Sequence, residues 1–436
     1  MAFDIDQALR YVVEHEGSDL HVKVPARPMV RVHGVLEPIP DTEPLAPEDT
    51  DAALKHILSD PKLLAEFGEV GEADFSYSVP GLSRFRVNAF RQRGNVSIVC
   101  RVIPFQVRTI DDLGLPQVIK DLADEKRGII LLTGTTGSGK STTLAAMIDQ
   151  INSTQPQHIV TLEDPIEYLH RDKRSIINQR EVGQDTESFA RAMKRVLRQY
   201  PDVILIGEMR DEETVRTALS AAETGHLVFS TVHTLDATET INRIIDFFPP
   251  HLQHQARVML ASTLRGAISQ RLVPDITNKG RVAVSEIMVV TGRVQDLILN
   301  EKETGKISEV IAEGEYYGMR TFDQALLKHV MSGEISEEVA MDTASSPHDF
   351  KLMLAAGGQK ASGLEQMYSS DGDDSDGDKP ADEPSDTPSR PPLRRFCRRS
   401  PLLLRGPMRI RHRRLRLTAQ RPIARPSGLP RILLNR

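Results

Sequence analysis

Apolar and polar positions follow two different periods along the chain. In the first hundred residues they alternate in short runs, at Asp19–Val24, Met29–Val35, Phe75–Val79, Arg84–Phe90 and Val96–Ile103. That period of two predicts strands with one buried face. Ala2–Glu14 instead carries a helical spacing. From Gly128 onward the strands become continuously apolar, at Gly128–Thr133, His158–Glu163, Val203–Glu208 and His226–Val232. Helical patterns separate them, at Ser141–Ile151, Ser188–Gln199, Glu212–Glu223 and Ala237–Phe248. Asp211 and Asp236 stand where N-caps belong, the second with Glu239 three residues on, and Pro249-Pro250 closes the last helix. Strands apolar on both faces and alternating with helices predict a mainly parallel sheet covered on both sides. Such a sheet binds its ligand at the carboxyl ends of the strands. Residues 251–356 read as mostly helical and are expected to cover one side of it.

These periods divide the chain into a mixed α/β unit over 1–103, a linker over 104–116, a larger α/β unit over 117–356 and a tail over 357–436. The tail has neither period: Ser369–Pro388 is rich in Asp, Ser, Gly and Pro, and an Arg/Pro/Leu segment follows. That composition predicts disorder. Its abrupt change of sign fits either a charged interaction arm or a sequence read out of frame near its end.

Composition narrows the class. The chain has 436 residues, 39% apolar and 27% charged, which is a globular balance with room for more than one core. Its two cysteines, Cys100 and Cys397, form no C-x-x-C pair, so neither a four-cysteine zinc ribbon nor a disulfide framework is expected. No apolar run is long enough to span a membrane, and Met1–Arg10 does not read as a secretory signal. Residues 390–436 hold 15 arginines and no lysine or acid, which leaves residues 1–389 at −21 against a whole-chain −6. So acidic a body argues against nucleic acid as a partner, because that affinity comes from neutralising phosphates.

The chemistry starts at Gly134-Thr135-Thr136-Gly137-Ser138-Gly139-Lys140-Ser141, a G-x-x-x-x-G-K-S run between a predicted strand and a predicted helix. Its glycines let backbone N–H groups wrap the phosphates of ATP, Lys140 supplies a charge at the β/γ-phosphates, and the Ser141 hydroxyl is a ligand for Mg²⁺. Thr142 opens the helix whose N-terminus faces the anion. Each of the next three strands ends in a residue suited to the γ-phosphate. Glu163, followed by Asp164-Pro165, can orient or deprotonate an attacking water. Glu208 follows Gly207 in a Walker-B-like position and can hold Mg²⁺, partly through water. His233 ends the last strand and can sense the γ-phosphate through a neutral imidazole. Phosphoryl transfer also calls for a cation beyond the loop lysine. Arg84, Arg86 and Arg101, on strands of the first unit, are candidates to supply it to a neighbouring subunit in a ring. Arg195 and Arg210 are weaker candidates.

Taken together, the loop, VTLEDPIEY (160–168), VILIGEMRD (203–211) and GHLVFSTVHT (225–234) resemble the secretion ATPase superfamily of type II secretion and type IV pilus motors. SDLHVKV (18–24), SRFRVNAF (83–90), SIINQREVG (175–183), ISQRL (268–272) and TFDQALLKHVMSGEIS (321–336) resemble its PilT-like branch, the retraction motors of twitching motility. The likeness covers roughly residues 3–356 and leaves the tail outside. It implies a PAS-like first domain and a RecA-like P-loop ATPase domain, assembled as a homo-hexamer. It further implies a cytoplasmic location beneath an inner-membrane platform protein, with a paralogous motor ATPase as a possible second partner. Carried over by motif, Glu163 would be the catalytic base, Glu208 the Walker B acid and His233 the histidine-box residue.

Three places depart from that pattern, the mildest being Thr135 where the loop commonly carries Pro or Ala. Arg293-Val-Gln-Asp-Leu-Ile-Leu-Asn300 has Gln295 and Leu299 where the retraction motif carries arginines, and Tyr200 replaces a usual acid. The leading expectation is therefore an ATP-driven retraction motor. An accessory ATP-binding subunit with little turnover, or an assembly or secretion ATPase, is the alternative.

Overall fold

The computed structural model describes residues 3–357, so the predicted tail lies outside the described residues. The chain begins with α1 (Ile5–Glu14), whose Asp4 side chain accepts from the Asp6 and Gln7 amides. Ile5, Ala8, Leu9 and Val12 form its buried stripe, a spacing that puts all four on one helix face. That face packs on β1 (Gly17–Lys23). β2 (Met29–Val32) and β3 (Val35–Pro38) follow, then α2 (Pro47–Ile57), α3 (Pro61–Val70), β4 (Glu72–Val79), β5 (Ser83–Gln92) and β6 (Asn95–Ile103). The six strands make one antiparallel sheet in the order β3-β2-β1-β6-β5-β4.

Sequence periodicity differs from this in two places. The run Met29–Val35 is a hairpin, broken where His33 and Gly34 both take positive φ, at 48° and 87°. Two helices, α2 and α3, occupy the stretch that carried no prediction. Both start on Pro in the first turn, and α3 is capped by Asp60, whose carboxylate accepts from the Lys62 amide.

Residues 104–116 lead into α4 (Gln117–Ala123) and are pinned to the second unit by buried Ile110 and Leu115. Beyond them come β7 (Gly128–Thr133), α5 (Lys140–Thr154), β8 (His158–Glu163), β9 (Ile176–Glu181), α6 (Phe189–Val196), β10 (Val203–Ile206), α7 (Glu212–Glu223), β11 (Leu227–Val232), α8 (Ala237–Asp246) and α9 (Pro250–Thr263). The predicted caps form: Asp211 accepts from the Thr214 amide at 2.8 Å and Asp236 from the Glu239 amide at 2.8 Å. Ser188–Gln199 is α-helical to Val196, after which its last three residues tighten into a 3-10 turn.

β12 (Leu264–Pro274) and β13 (Arg281–Val289) then return to the sheet, followed by α10 (Gly292–Leu299), α11 (Ile307–Glu313), α12 (Phe322–Met331), α13 (Glu337–Thr343) and α14 (Pro347–Ala355). The stretch 251–356 is mostly helical as expected, through α9 to α14, and the expectation is corrected only at β12 and β13: β12 pairs in parallel with β7, and β13 pairs back on β12. Short apolar runs such as these fit helix or strand equally well by period, and only the open edge of β7 decides between them.

The resulting sheet has seven strands in the order β13-β12-β7-β11-β10-β8-β9, parallel throughout except for β13. Its continuous apolar strands have the predicted cause. Ile129 and Leu131 pack with α6 to α11 on one face, while Ile130 and Leu132 pack with α4 and α5 on the other. The outer ends of β12 and β13 share a further core with α12, α13 and α14.

Phe229, fully buried at the centre of β11, is a sharp test of that double-sided core. Phe229→Ala is expected to cost about 3–5 kcal/mol, read as a lower urea midpoint. Tyr316, 92% exposed, is the matched control, and its alanine variant is expected to stay within about 0.5 kcal/mol of wild type.

Candidate nucleotide site at the carboxyl edge of the second sheet

Strands β7, β8, β10 and β11 all point their carboxyl ends at one cleft of about 490 Å³. Lys140, Ser141, Glu163, Glu208, Arg210 and His233 line it. The residues that sequence reasoning drew from four separate strand ends are therefore neighbours.

The loop from Gly134 to Thr142 joins β7 to α5. Gly134, Gly137 and Gly139 hold φ of 139°, 79° and 91°, a region that L side chains avoid. Space forbids a side chain as well: a Cβ on Gly134 would stand 2.4 Å from the Gln270 carbonyl oxygen and 2.6 Å from Ser138 Oγ. Gly139 is hemmed in by the Gln270 amide, whose Oε1 accepts from Thr143 Oγ1 at 2.8 Å. Inside the loop the Ser138 hydroxyl is buried without a protein partner. Lys140, 8% exposed, donates to the carbonyls of Gly134 (2.8 Å) and Thr135 (2.9 Å). Burial lowers its pKa, and the facing charges of Glu208 and Glu167 oppose that shift. A buried ammonium resting on loop carbonyls, beside an orphaned hydroxyl and a glycine cradle, fits a phosphate chain.

Glu163 closes β8. Its carboxylate accepts from Thr161 Oγ1 at 2.6 Å, Gln179 Nε2 at 3.3 Å and the Glu167 amide at 3.4 Å. Burial nonetheless pushes its pKa above the ordinary glutamate range. Such a carboxylate is a stronger base than a solvated one.

Glu208 stands two residues beyond β10, where Gly207 passes so close that a Cβ would meet the Leu162 carbonyl at 3.3 Å. Its Oε2 accepts from Arg210 Nε at 2.8 Å, and its Oε1 lies 3.2 Å from His233 Nε2. His233 thus faces the acid. That carboxylate contact raises the Arg210 pKa. Hard oxygen donors from Ser141 and Glu208 suit Mg²⁺, which keeps most of its water and leans on substrate phosphates.

A second cavity of about 540 Å³ adjoins the first through Gly139 and Thr142, and is lined by Asp112, Leu113, Leu272 and Arg281 among others. It offers room for a nucleoside beside the loop.

None of the three first-sheet arginines lines the cleft. Arg84 Nη2 bonds Glu181 at 3.1 Å and Gln184 at 2.9 Å in the same chain. Arg101 bonds Asp19 at 2.8 Å. Arg86, opposite Arg101 in register, is exposed and borders a small cavity with Asp164 and Glu181. Strand alternation predicts Arg84 and Arg86 on one face, and they share it. Arg195 does not line the cleft, whereas Arg210 does.

Sequence reasoning missed Gln179, Glu181, Gln270 and Arg281 as chemistry. The first two belong to β9, whose Ile-Ile-Asn-Gln-Arg-Glu has no clean alternation, and only the likeness over 175–183 singled that stretch out. The departing motif lies on α10, which buries Val294, Leu297 and Ile298, exposes Leu299, and pairs Arg293 with Glu313 at 2.7 Å. Tyr200 is 86% exposed with φ 54°. Among the described residues no helix is long and apolar enough to cross a membrane.

Gly134→Ala is expected to weaken nucleotide binding at least about fivefold, since the strained φ alone costs roughly 1–3 kcal/mol. Fluorescent-ADP titration of the folded variant reads it, and wild-type affinity would contradict the cradle.

Known proteins share this architecture and much of this sequence. The family model described as Type II/IV secretion system protein matches residues 4–342. The Pseudomonas aeruginosa protein named Type IV pilus retractation ATPase PilT is 45% identical, over 80% of this chain and 100% of its own length. A Neisseria gonorrhoeae protein named Twitching motility protein is 45% identical, over 73% of this chain and 84% of its own. The crystal structure of the pilus retraction motor PilT with bound ADP superposes with a TM-score of 0.74 at 42% identity, covering 80% of this chain and 100% of that one. With a RecA-like core carrying a phosphate loop and preceded by a smaller α/β unit, the chain belongs to the type II/IV secretion system protein family of ATPases.

Proposed function

We propose that this chain is an ATP-hydrolysing motor subunit that powers retraction of a type IV pilus. The observation that carries the reading is the single cleft lined by Lys140, Glu163, Glu208 and His233. The names of the 45%-identical P. aeruginosa relative and of the matching solved structure supply the pilus.

In this reading the β- and γ-phosphates of ATP lie in the Gly134–Thr142 loop, against its backbone N–H groups and Lys140. Lys140 then exchanges its two loop carbonyls for phosphate oxygens. Ser141 and, through water, Glu208 would hold Mg²⁺, which would supply charge neutralisation at the phosphates. Glu163 accepts the proton of a water that attacks the γ-phosphorus in line, while the bond to the β–γ bridging oxygen breaks to give ADP and phosphate. His233 and Arg210 hold the Glu208 carboxylate in place.

Residues 1–103 and 117–356 would act as two bodies of one subunit, in a homo-hexamer where Arg86 or Arg101 of one subunit reaches the cleft of another while Arg84 stays on Glu181 of its own chain. The ring would sit at the inner face of the cell membrane under a pilus platform protein. A P. aeruginosa relative named Type IV pilus ATPase PilU, 41% identical, makes a paralogous ATPase a reasonable second partner. The intact loop, Glu163 and Glu208 oppose the low-turnover accessory reading. Filament retraction is favoured over assembly by the printed names of the 45%-identical relative and of the 42%-identical solved structure, although Gln295 and Leu299 alter the α10 motif.

Glu163→Gln is expected to lose turnover by about 10²–10⁴-fold while still binding ATP, as measured by phosphate release and fluorescent-ATP titration. Retained turnover would overturn the assignment. The pH profile offers a second check. A base must be ionised, and burial raises the Glu163 pKa, so kcat is expected to fall with acidification at a pH above the ordinary glutamate range. A profile flat down to that range would contradict it.

A further inference from the structure

Among the described residues, every side-chain hydrogen bond between 3–103 and 117–357 ends on Glu181 or Gln184. Ser76 Oγ donates to Glu181 Oε1 at 2.6 Å, and Arg84 Nη2 donates to Glu181 Oε2 at 3.1 Å. Gln184 completes the seat, donating to the Ser76 carbonyl at 3.0 Å and accepting from Arg84 at 2.9 Å. All four bonds meet at the end of one edge strand.

That strand is the one that braces the base. β9 pairs in parallel with β8, setting Gln179 beside Thr161 and Glu181 beside Glu163. Gln179 donates to Glu163 at 3.3 Å and to the Tyr168 carbonyl at 2.8 Å, and it accepts from the His170 amide at 2.8 Å. Glu181 Oε2 accepts the Ile166 amide at 3.1 Å, within the turn whose Glu167 amide reaches Glu163. Glu181 therefore carries the first sheet on one side and the 163–167 turn on the other.

Its burial makes the two sides depend on each other. Glu181 is 3% exposed, so its charge is tolerable only while donors surround it. If Ser76 and Arg84 withdraw with the first sheet, the carboxylate loses both donors and the residues that cover it. Opened to water, it is then free to leave the Ile166 amide.

We propose that Glu181 is a positioning residue for hydrolysis, holding the 163–167 turn and so Glu163 in place only while Ser76 and Arg84 are seated on it. The inference rests on Glu163 being the base. Movement of the first sheet is thereby transmitted to the chemical step through one buried carboxylate.

The test is a double-mutant cycle on the full chain, reading kcat, KM and fluorescent-ATP affinity. Glu181→Ala is expected to lower kcat by about 30-fold, the scale of a slightly misplaced base, with ATP affinity changed less than about twofold. Ser76→Ala is expected to lower kcat about threefold in the wild-type chain, and to have no further effect in the Glu181→Ala background. Glu181→Gln keeps an acceptor for the Ile166 amide and is expected to fall between. Should Glu181→Ala fail to fold by circular dichroism, Glu181→Gln and Ser76→Ala form the same cycle. Unchanged kcat, effects that multiply, or ATP affinity falling in parallel with kcat would each overturn the proposal, the last two being the behaviour of a purely structural bond. Glu163→Gln separates the two claims. If it retains turnover the base assignment fails, and if it is inactive while Glu181 variants are normal only this inference fails.

Discussion

Strand register in the second sheet is the constraint on which the rest depends. β8 and β10 pair with Leu162 opposite Ile206, β10 and β11 with Ile206 opposite Ser230, and β11 and β7 with Val232 opposite Thr133. A slip of one residue at any of these pairings would turn an alternating set of side chains to the wrong face. Burial on both faces makes such a slip costly, because Ile129 and Leu131 serve one core and Ile130 and Leu132 the other. With the register fixed, four strand ends must stop at one edge. Lys140, Glu163, Glu208 and His233 then meet without any of them being adjacent in sequence.

The same edge accounts for the charges. Lys140 and Glu163 are both enclosed, and burial shifts each toward its neutral form, lowering the lysine and raising the glutamate. A phosphate chain would relieve the first by supplying anions, and a raised pKa makes the second a stronger base than a solvated glutamate. Glu208 already has Arg210 and His233 as partners.

Much of this was legible in the sequence because it is local. The glycine loop declares itself by spacing, and Asp211 and Asp236 mark helix starts by type and position. The apolar strands β7, β10 and β11 read as doubly buried from their lack of alternation. What was not legible depends on distant partners. β9 has no period of its own and exists as a strand because β8 leaves an open edge. β12 and β13 were read as helical for the same reason, since only the edge of β7 selects a strand. α2 and α3 are a different matter: Pro47, Asp60 and Pro61 are ordinary start signals that periodicity alone passes over. At the site, type and position pointed to Glu163 and Glu208, while Gln179 and Glu181 gain meaning only once β9 lies against β8. The first-sheet arginines show the limit most plainly. Alternation put Arg84 and Arg86 on one face, but it could not tell that Arg84 binds Glu181 within its own chain.

The central claim is that this cleft hydrolyses ATP and is completed by a neighbouring subunit, and ATPase turnover against protein concentration tests it most directly. The account predicts specific activity that climbs with concentration as rings assemble and that collapses in Glu208→Gln. Negligible turnover at every concentration, with ATP still bound, would contradict it.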